Sequence, residues 1–252
     1  MYRRTRMGVL AVAALTTTIL VGAAACAPPP PPPRTTTTTA STTSTVPVSD
    51  LDNDGIPDAL DHCPTIADPD GVCPATVYQV RTGIYGPGEP VAISNVVVTA
   101  TTSAGDAYAQ VQLTDPTYNG PRFSAIRLHA APGALEEKSV VNVRGTIGSD
   151  TSLTLTDAPI VVQTGVLPAP ATTPAAALDS LAYDGLLVVT DPAQIFDVQP
   201  TYWQLDTGFT VRDTLIGTLP TAAVGDPVTV VGIGGARSSG FDVLPRTPGD
   251  IT

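Results

Sequence analysis

Basic residues are scarce in this sequence. Its 252 residues include a single lysine, Lys138, and 12 basic against 23 acidic residues, which gives a formal net charge of −11. Without the first 25 residues, which carry Arg3, Arg4 and Arg6, the balance is 9 basic to 23 acidic residues, or −14. Such a surface repels the phosphate backbone of nucleic acids. The composition therefore disfavours nucleic acid as a partner.

Groups that commonly carry out catalysis are also scarce. There are two histidines: His62 lies within an acidic stretch, and His129 ends a predicted strand, where a surface role is favoured over that of a general base. The sequence has no HExxH, no P-loop and no serine-centred elbow. Gly232-Ile-Gly234-Gly235 follows a predicted strand but precedes no helical pattern, which argues against dinucleotide binding. We therefore predict that the protein is not an enzyme and assign no catalytic residue.

Aspartates are concentrated between residues 50 and 70. Five of them occupy positions one, three, five, nine and twelve of a twelve-residue span, with Gly55 at the turn position. This is the oxygen-ligand spacing of an EF-type calcium loop, and carboxylates this close repel one another unless a cation lies between them. An acidic, solvated linker is the alternative interpretation. The predicted Ca²⁺ ligands are the backbone carbonyl of Ile56 and the carboxylates of Asp50, Asp52, Asp54, Asp58 and Asp61.

The stretch departs from an EF-hand because Asp61 replaces the usual glutamate and the upstream flank is rich in Thr and Pro. The run Asp-x-Asp-x-Asp-Gly-x-x-Asp-x-x-Asp-x-Cys-Pro closely resembles a thrombospondin type 3 repeat, a calcium-wrapped, disulfide-tied extracellular segment. The resemblance covers about residues 50–73. Cys63 and Cys73 are predicted to form a disulfide. The second half of the motif, with Asp68 and Asp70, lacks the leading acidic residues, which leaves open whether a second calcium site forms there.

The N-terminus is typical of an exported protein. Residues 1–25 have a basic start and an apolar run, which predicts a signal peptide. The junction Ala23-Ala24-Ala25-Cys26 resembles the lipobox of bacterial lipoproteins, in which the cysteine is diacylated and anchors the chain to a membrane. An ordinary cleavage site, giving a secreted protein, is the alternative. Residues 26–49, rich in Pro and then Thr, predict an extended spacer that tethers the rest of the chain, although a proline-rich ligand for a partner is an alternative.

From residue 77 onward the sequence consists of short Val, Ile, Leu and Thr runs broken by Gly, Pro, Asn and Asp, which predicts strands and turns. Val141-Asn-Val143-Arg-Gly145 and Val228-Thr-Val230-Val-Gly232 suggest an internal repeat. Each unit has about five predicted strands, which is the strand count of a small Greek-key barrel. In each unit one strand contains a glycine and must bend. Both units resemble tandem OB-fold domains. We therefore predict a mainly β protein with a calcium-binding segment and two barrels. The predicted parts are residues 50–74 for the calcium segment, 77–166 for the first barrel, 167–177 for a linker and 178–252 for the second barrel.

The predicted function is a non-catalytic, calcium-binding envelope lipoprotein that displays β-barrels for a structural or adhesive role. Tyr202 and Trp203 are the candidate ligand-binding side chains, for a glycan or an envelope protein, although core packing is the alternative for Trp203. The competing hypothesis is an OB-fold accessory module for nucleic-acid or hydrolytic chemistry, since OB folds bind single strands by aromatic stacking on a basic face. The acidic residues Asp206 and Asp213 near the aromatic pair favour the first hypothesis.

Overall fold

The computed structural model describes residues 49–131, 133–165, 167–173, 180–237 and 240–252. The predicted signal peptide, the lipidation of Cys26 and nearly all of the predicted spacer lie outside these residues. The described residues belong to one compact unit. No helix in the described part of the chain is both long and apolar enough to cross a membrane.

Seven strands make up the first sheet, whose order is β1-β2-β3-β4-β6-β5-β7. An additional pairing of β2 with β5 closes the five strands β2, β3, β4, β6 and β5 into a ring. All pairs in the ring are antiparallel except β4 and β6, which are parallel. The strands are β1 (Cys73–Pro74), β2 (Pro90–Thr101), β3 (Asp106–Val111), β4 (Ala125–His129), β5 (Ser139–Ile147), β6 (Leu153–Leu155) and β7 (Ile160–Thr164).

The second sheet repeats this order in a more open form. Its first long strand is split into β9 and β10, and its fourth into β13 and β14, so that β9 pairs with β14 and β10 pairs with β13. The strand order β13-β10-β11-β12-β15-β14-β9-β8 again includes one parallel pair, β12 with β15, inside the barrel wall. The strands are β8 (Ala171–Thr173), β9 (Leu187–Thr190), β10 (Ala193–Gln199), β11 (Tyr202–Leu205), β12 (Phe209–Arg212), β13 (Pro227–Val228), β14 (Val231–Arg237) and β15 (Gly240–Leu244). The predicted mainly β fold with OB-like barrels is thus confirmed.

In each barrel wall, one glycine allows two neighbouring strands to come very close together. A Cβ atom on Gly145 of β5 would overlap the backbone carbonyl of Thr154 in β6, and one on Gly232 of β14 would lie 2.6 Å from the carbonyl oxygen of Leu244 in β15. These are the two glycines that end the repeated sequence Val-x-Val-x-Gly. The internal repeat therefore corresponds to one structural role, in which a strand comes so close to its neighbour that no side chain fits.

Some elements were not predicted from the sequence. The helix α1 (Val77–Arg81) begins with a capping box between Thr76 and Gln79 and buries Val77 and Val80 in the first barrel. Short 3₁₀ helices cover Ser180–Tyr183 and Pro248–Asp250. Strand β8 lies within the range predicted as linker, and pairs in parallel with β9.

The two sheets pack against each other. The backbone N–H of Leu187 donates a hydrogen bond to Oε1 of Gln110 (3.1 Å), and the N–H of Phe123 donates to the carbonyl of Ala182 (2.7 Å). Ala100 of the first sheet shares a small buried cluster with Leu187 and with residues of β14 and β15. These contacts explain why the described residues belong to one compact unit.

We expect Gly145→Ala to destabilise the protein by about 1–3 kcal/mol, because the added methyl group must displace backbone rather than a flexible side chain. Differential scanning calorimetry should show a melting temperature lower by several degrees. Gly86→Ala is the matched control, since its Cβ would lie 3.6 Å from Oε1 of Glu89, an ordinary contact. Equal melting temperatures for both variants would contradict the close approach described for β5 and β6.

Candidate metal centre

The acidic segment between residues 50 and 70 folds into successive turns rather than into regular structure. Asn53 and Gly55 have positive φ angles of 59° and 97°, which curl the backbone around the aspartate side chains. The N–H of Ile56 donates to Oδ1 of Asp54 (2.7 Å), and the N–H of Asp68 donates to Oδ2 of the same carboxylate (2.9 Å). Asp54 therefore joins the first turn to a residue fourteen positions later in the chain.

Four carboxylates converge in this segment. Asp52, Asp54, Asp61 and Asp68 each offer an oxygen atom, and these atoms lie within 4.8 Å of one another. The first three side chains are half-buried, and Asp68 is only 3% exposed. Four negative charges this close, one of them buried, repel one another strongly without a cation.

Several oxygens of these carboxylates are buried without any hydrogen-bond partner. They include Oδ2 of Asp52, Oδ2 of Asp61 and Oδ1 of Asp68, together with Oδ1 of the adjacent Asp50. A buried carboxylate oxygen that accepts no hydrogen bond costs free energy, and each such atom in a folded protein calls for an explanation. A cation among them would supply the missing interaction. The donor set, made of carboxylate oxygens alone, suits a hard divalent ion such as Ca²⁺.

The pKa values reflect this crowding. Burial raises the pKa of Asp68 to about 6, and the charges of Asp61 and Asp54 add to the effect. Loss of solvent, followed by repulsion from Asp54, raises the pKa of Asp52. Asp54 differs: hydrogen bonds from the N–H groups of Ile56 and Asp68 lower its pKa. Bound metal would favour the ionised form of all of these groups.

The structure does not bring all of the predicted ligands together. Asp52, Asp54 and Asp61 lie in the cluster. Asp50 lies beside it, with Oδ2 accepting from the N–H of Gly55 (3.2 Å). Asp58 instead closes a turn, with Oδ1 accepting from the N–H of Leu51 (2.8 Å). Ligation by the Ile56 carbonyl stays a prediction.

Asp68 is the member of the cluster that was not among the predicted ligands. The sequence places it in the second half of the motif with Asp70, where the leading acidic residues are missing. In the structure the two separate, because Asp70 accepts a hydrogen bond from Nη1 of Arg144 in β5 (2.6 Å) while Asp68 joins Asp52, Asp54 and Asp61. The sequence held one signal for this role of Asp68. The second half of the motif lacks the acidic residues for a metal site of its own, so its aspartates can complete the neighbouring site.

A disulfide and a short strand attach this segment to the first barrel. Cys63 and Cys73 are bonded, with their Cα atoms 5.8 Å apart, and both are buried in the core of the first barrel. Strand β1, which begins at Cys73, pairs with β2 in parallel. Sγ of Cys63 lies 3.3 Å from Oδ2 of Asp68. The carboxylate cluster and the barrel core are therefore adjacent layers of one structure.

The candidate aromatic pair is divided between the two faces of β11. Trp203 is 3% exposed and packs in the core of the second barrel. Tyr202 is half-buried on the outer face, where the guanidinium of Arg212 lies 5.1 Å from the ring centroid. Tyr202 therefore keeps access to a ligand, whereas Trp203 has the role of a core residue.

His129 has a partner other than a metal. Its Nδ1 lies 2.6 Å from Oδ1 of Asp106, and Arg127 pairs with the other oxygen of the same carboxylate. Burial raises the pKa of Asp106, but hydrogen bonds from Arg127 and His129 outweigh this and lower it. Asp106 of β3 therefore joins His129 and Arg127, two residues of β4.

We expect Asp68→Asn to weaken calcium binding at least tenfold, because it removes one of four converging charges. Isothermal titration calorimetry on the full mature chain measures the affinity. Asp70→Asn is the matched control, since this carboxylate lies two residues away and pairs with Arg144 instead. Equal loss of affinity in both variants would contradict the assignment of Asp68 to the site.

The comparisons with known proteins add little to this picture. No family model matches the chain, and no curated protein does. Among solved structures, the chain is similar to the p204 HINb domain, with 14% sequence identity over 63% of this chain and 93% of that chain, at a TM-score of 0.33. A similarity at this level indicates no function for this chain.

Proposed function

We propose that this protein is a non-catalytic, calcium-binding component of the cell envelope, in which one Ca²⁺ ion holds residues 50–74 against a pair of β-barrels. The observation that carries the proposal is the convergence of Asp52, Asp54, Asp61 and Asp68 with buried oxygens that have no hydrogen-bond partner. A solvated acidic linker would expose these oxygens to water, as the exposed Asp70 does. Their burial supports a site formed to hold an ion.

The chemistry of the donors favours calcium over other metals. Cys63 and Cys73 are joined in a disulfide, so neither offers the thiolate that zinc prefers. Mg²⁺ demands a small octahedral shell and keeps most of its water, whereas Ca²⁺ accepts six to eight oxygens in flexible geometry. Calcium modules of extracellular proteins bind with dissociation constants of about 0.1–1 mM. We propose an affinity in that range.

The barrels are proposed to act as displayed modules. The net charge of −11 opposes binding to nucleic acid, and the outer face of β11 offers Tyr202 beside Arg212, a combination that suits a sugar ring or a protein side chain. We therefore propose a glycan or an envelope protein as the ligand class. Membrane attachment through diacylated Cys26 is proposed on the sequence Ala23-Ala24-Ala25-Cys26.

Calcium should stabilise the barrel as well as the acidic segment, because the disulfide and β1 belong to the first barrel. At 10 mM Ca²⁺, which is about 10 to 100 times the expected dissociation constant, the gain in unfolding free energy is about 1.4–2.7 kcal/mol. Scanning calorimetry with 10 mM CaCl₂ against 1 mM EDTA measures it, with 10 mM MgCl₂ as control. An unchanged melting temperature, or equal stabilisation by Mg²⁺, would contradict the proposed calcium role.

The lipid anchor has its own test. Mass spectrometry of the mature protein from its native host should show a diacylated N-terminal cysteine at position 26, because the small residues before Cys26 match a lipobox. Cys26→Ser should abolish the diacylated species, because serine has no thiol to acylate. An unmodified N-terminus at any other residue would refute the anchor while leaving the calcium site unaffected.

A further inference from the structure

Strand β7 is an apolar strand that the barrel leaves exposed. Ile160, Val161 and Val162 are consecutive, and their exposed fractions are 65%, 58% and 50%. All five residues of the strand are exposed. Side chains alternate between the two faces of a strand, so both faces of β7 lie open among the described residues.

The backbone of β7 is also open along one edge. The strand is last in the order of its sheet and pairs only with β5 within the described chain. Natural proteins protect such edges with charged side chains, proline or a bulge. The sequence Ile160-Val-Val-Gln-Thr164 has no charged residue and no proline, and its one irregularity is a shift of register against Val140 and Val141. An edge this weakly protected is expected to be covered by another strand.

The charge distribution favours a second copy of the chain as the occupant. Residues 158–165, which include β7, contain no charged residue, although the chain as a whole has a net charge of −11. Two copies repel each other over most of their surfaces but can approach here without opposing like charges. A twofold contact brings the same patch of both copies together, so the patch must complement itself. An uncharged strand aligned antiparallel with itself satisfies that requirement.

We propose that two copies of this protein associate by antiparallel pairing of their β7 strands, which joins the two first-barrel sheets across a twofold axis. Leu113, 50% exposed, lines a groove with Gln163 and Thr164 and extends the apolar contact. The contact is smaller than the ~1,600 Å² of a standard interface, so the dimer is weak, with a dissociation constant on the order of 0.1 mM. This association is independent of the calcium site and of the lipid anchor.

Sedimentation velocity between about 10 µM and 1 mM tests the proposal on the chain from residue 26, with Cys26→Ser to exclude acylation and intermolecular disulfides. We expect a concentration-dependent dimer, and Val162→Lys should raise the dissociation constant at least tenfold because it brings lysines of the two copies together. The control is Val224→Lys on the second barrel, where the valine is 65% exposed, more than the 50% of Val162. Val161→Lys is a second variant in case Val162→Lys fails to fold.

Hydrogen exchange locates the contact. Amides of residues 160–164 should exchange more slowly at 1 mM than at 10 µM in the unmodified chain and in Val224→Lys, but not in Val162→Lys. A monomer at every concentration would overturn the proposal. A dimer that Val162→Lys and Val161→Lys leave intact, or one without protection at β7, would overturn it as well.

Discussion

The pairing of β2 with β5 is the constraint on which the rest of the first barrel depends. Without it the strands would form an open sheet, and the side chains that now fill the interior would face water. Strand β2 can pair with β3 along one edge and with β5 along the other because it bends. Its register shifts between Ile93 and Val96, where Asn95 has a φ of 59° and its N–H donates to Oδ1 of Asn142 (2.9 Å). Bulges of this kind increase strand curvature and allow a short sheet to close.

The acidic segment adds a second constraint, since it is attached to the same strand. Strand β1 pairs with Val91 and Ala92 of β2, and Asp70 binds Arg144, which lies opposite Ala92 in β5. Repulsion among the four carboxylates therefore acts on a segment that is anchored within the barrel core rather than on a free loop. A segment of this length buries too little apolar surface to offset its own ordering entropy. The disulfide, the barrel contacts and the proposed ion together compensate for that deficit.

Much of the fold could be predicted because the barrel strands alternate or run continuously in Val, Ile and Leu, and because glycine marks the bend in each unit. Gly145 and Gly232 were informative even without a structure, since each ends the same short pattern. Strand β10 is hard to recognise in the sequence because Gln194, Asp197 and Gln199 give it a polar character, and its shift of register around Phe196 breaks the alternation. Helix α1 is five residues long, too short for a helical period, although Thr76 and Gln79 form a recognisable capping box.

Three of the four carboxylates of the acidic cluster were predicted to lie together, but the fourth, Asp68, was not, and the reason is geometric. Spacing along one loop identifies residues that can turn toward a common point, as Asp52, Asp54 and Asp61 do. It carries no information about a later residue that a disulfide brings back to the same point. The bond between Cys63 and Cys73 closes the loop that contains Asp68 and brings that carboxylate to the cluster.

The same limit applies to burial in the sheets. Strands β6 and β7 pair with the same edge of β5, β6 at Gly145–Ile147 and β7 at Ser139–Asn142. Strand β6 completes the ring, so β7 is added outside the barrel wall and its valines stay exposed. In β11, by contrast, Trp203 lies opposite Val211 and turns inward, while Tyr202 lies opposite Arg212 and turns outward. Strand alternation thus assigns faces correctly only where the strand is part of a barrel wall, because only there does one face have a core to bury against.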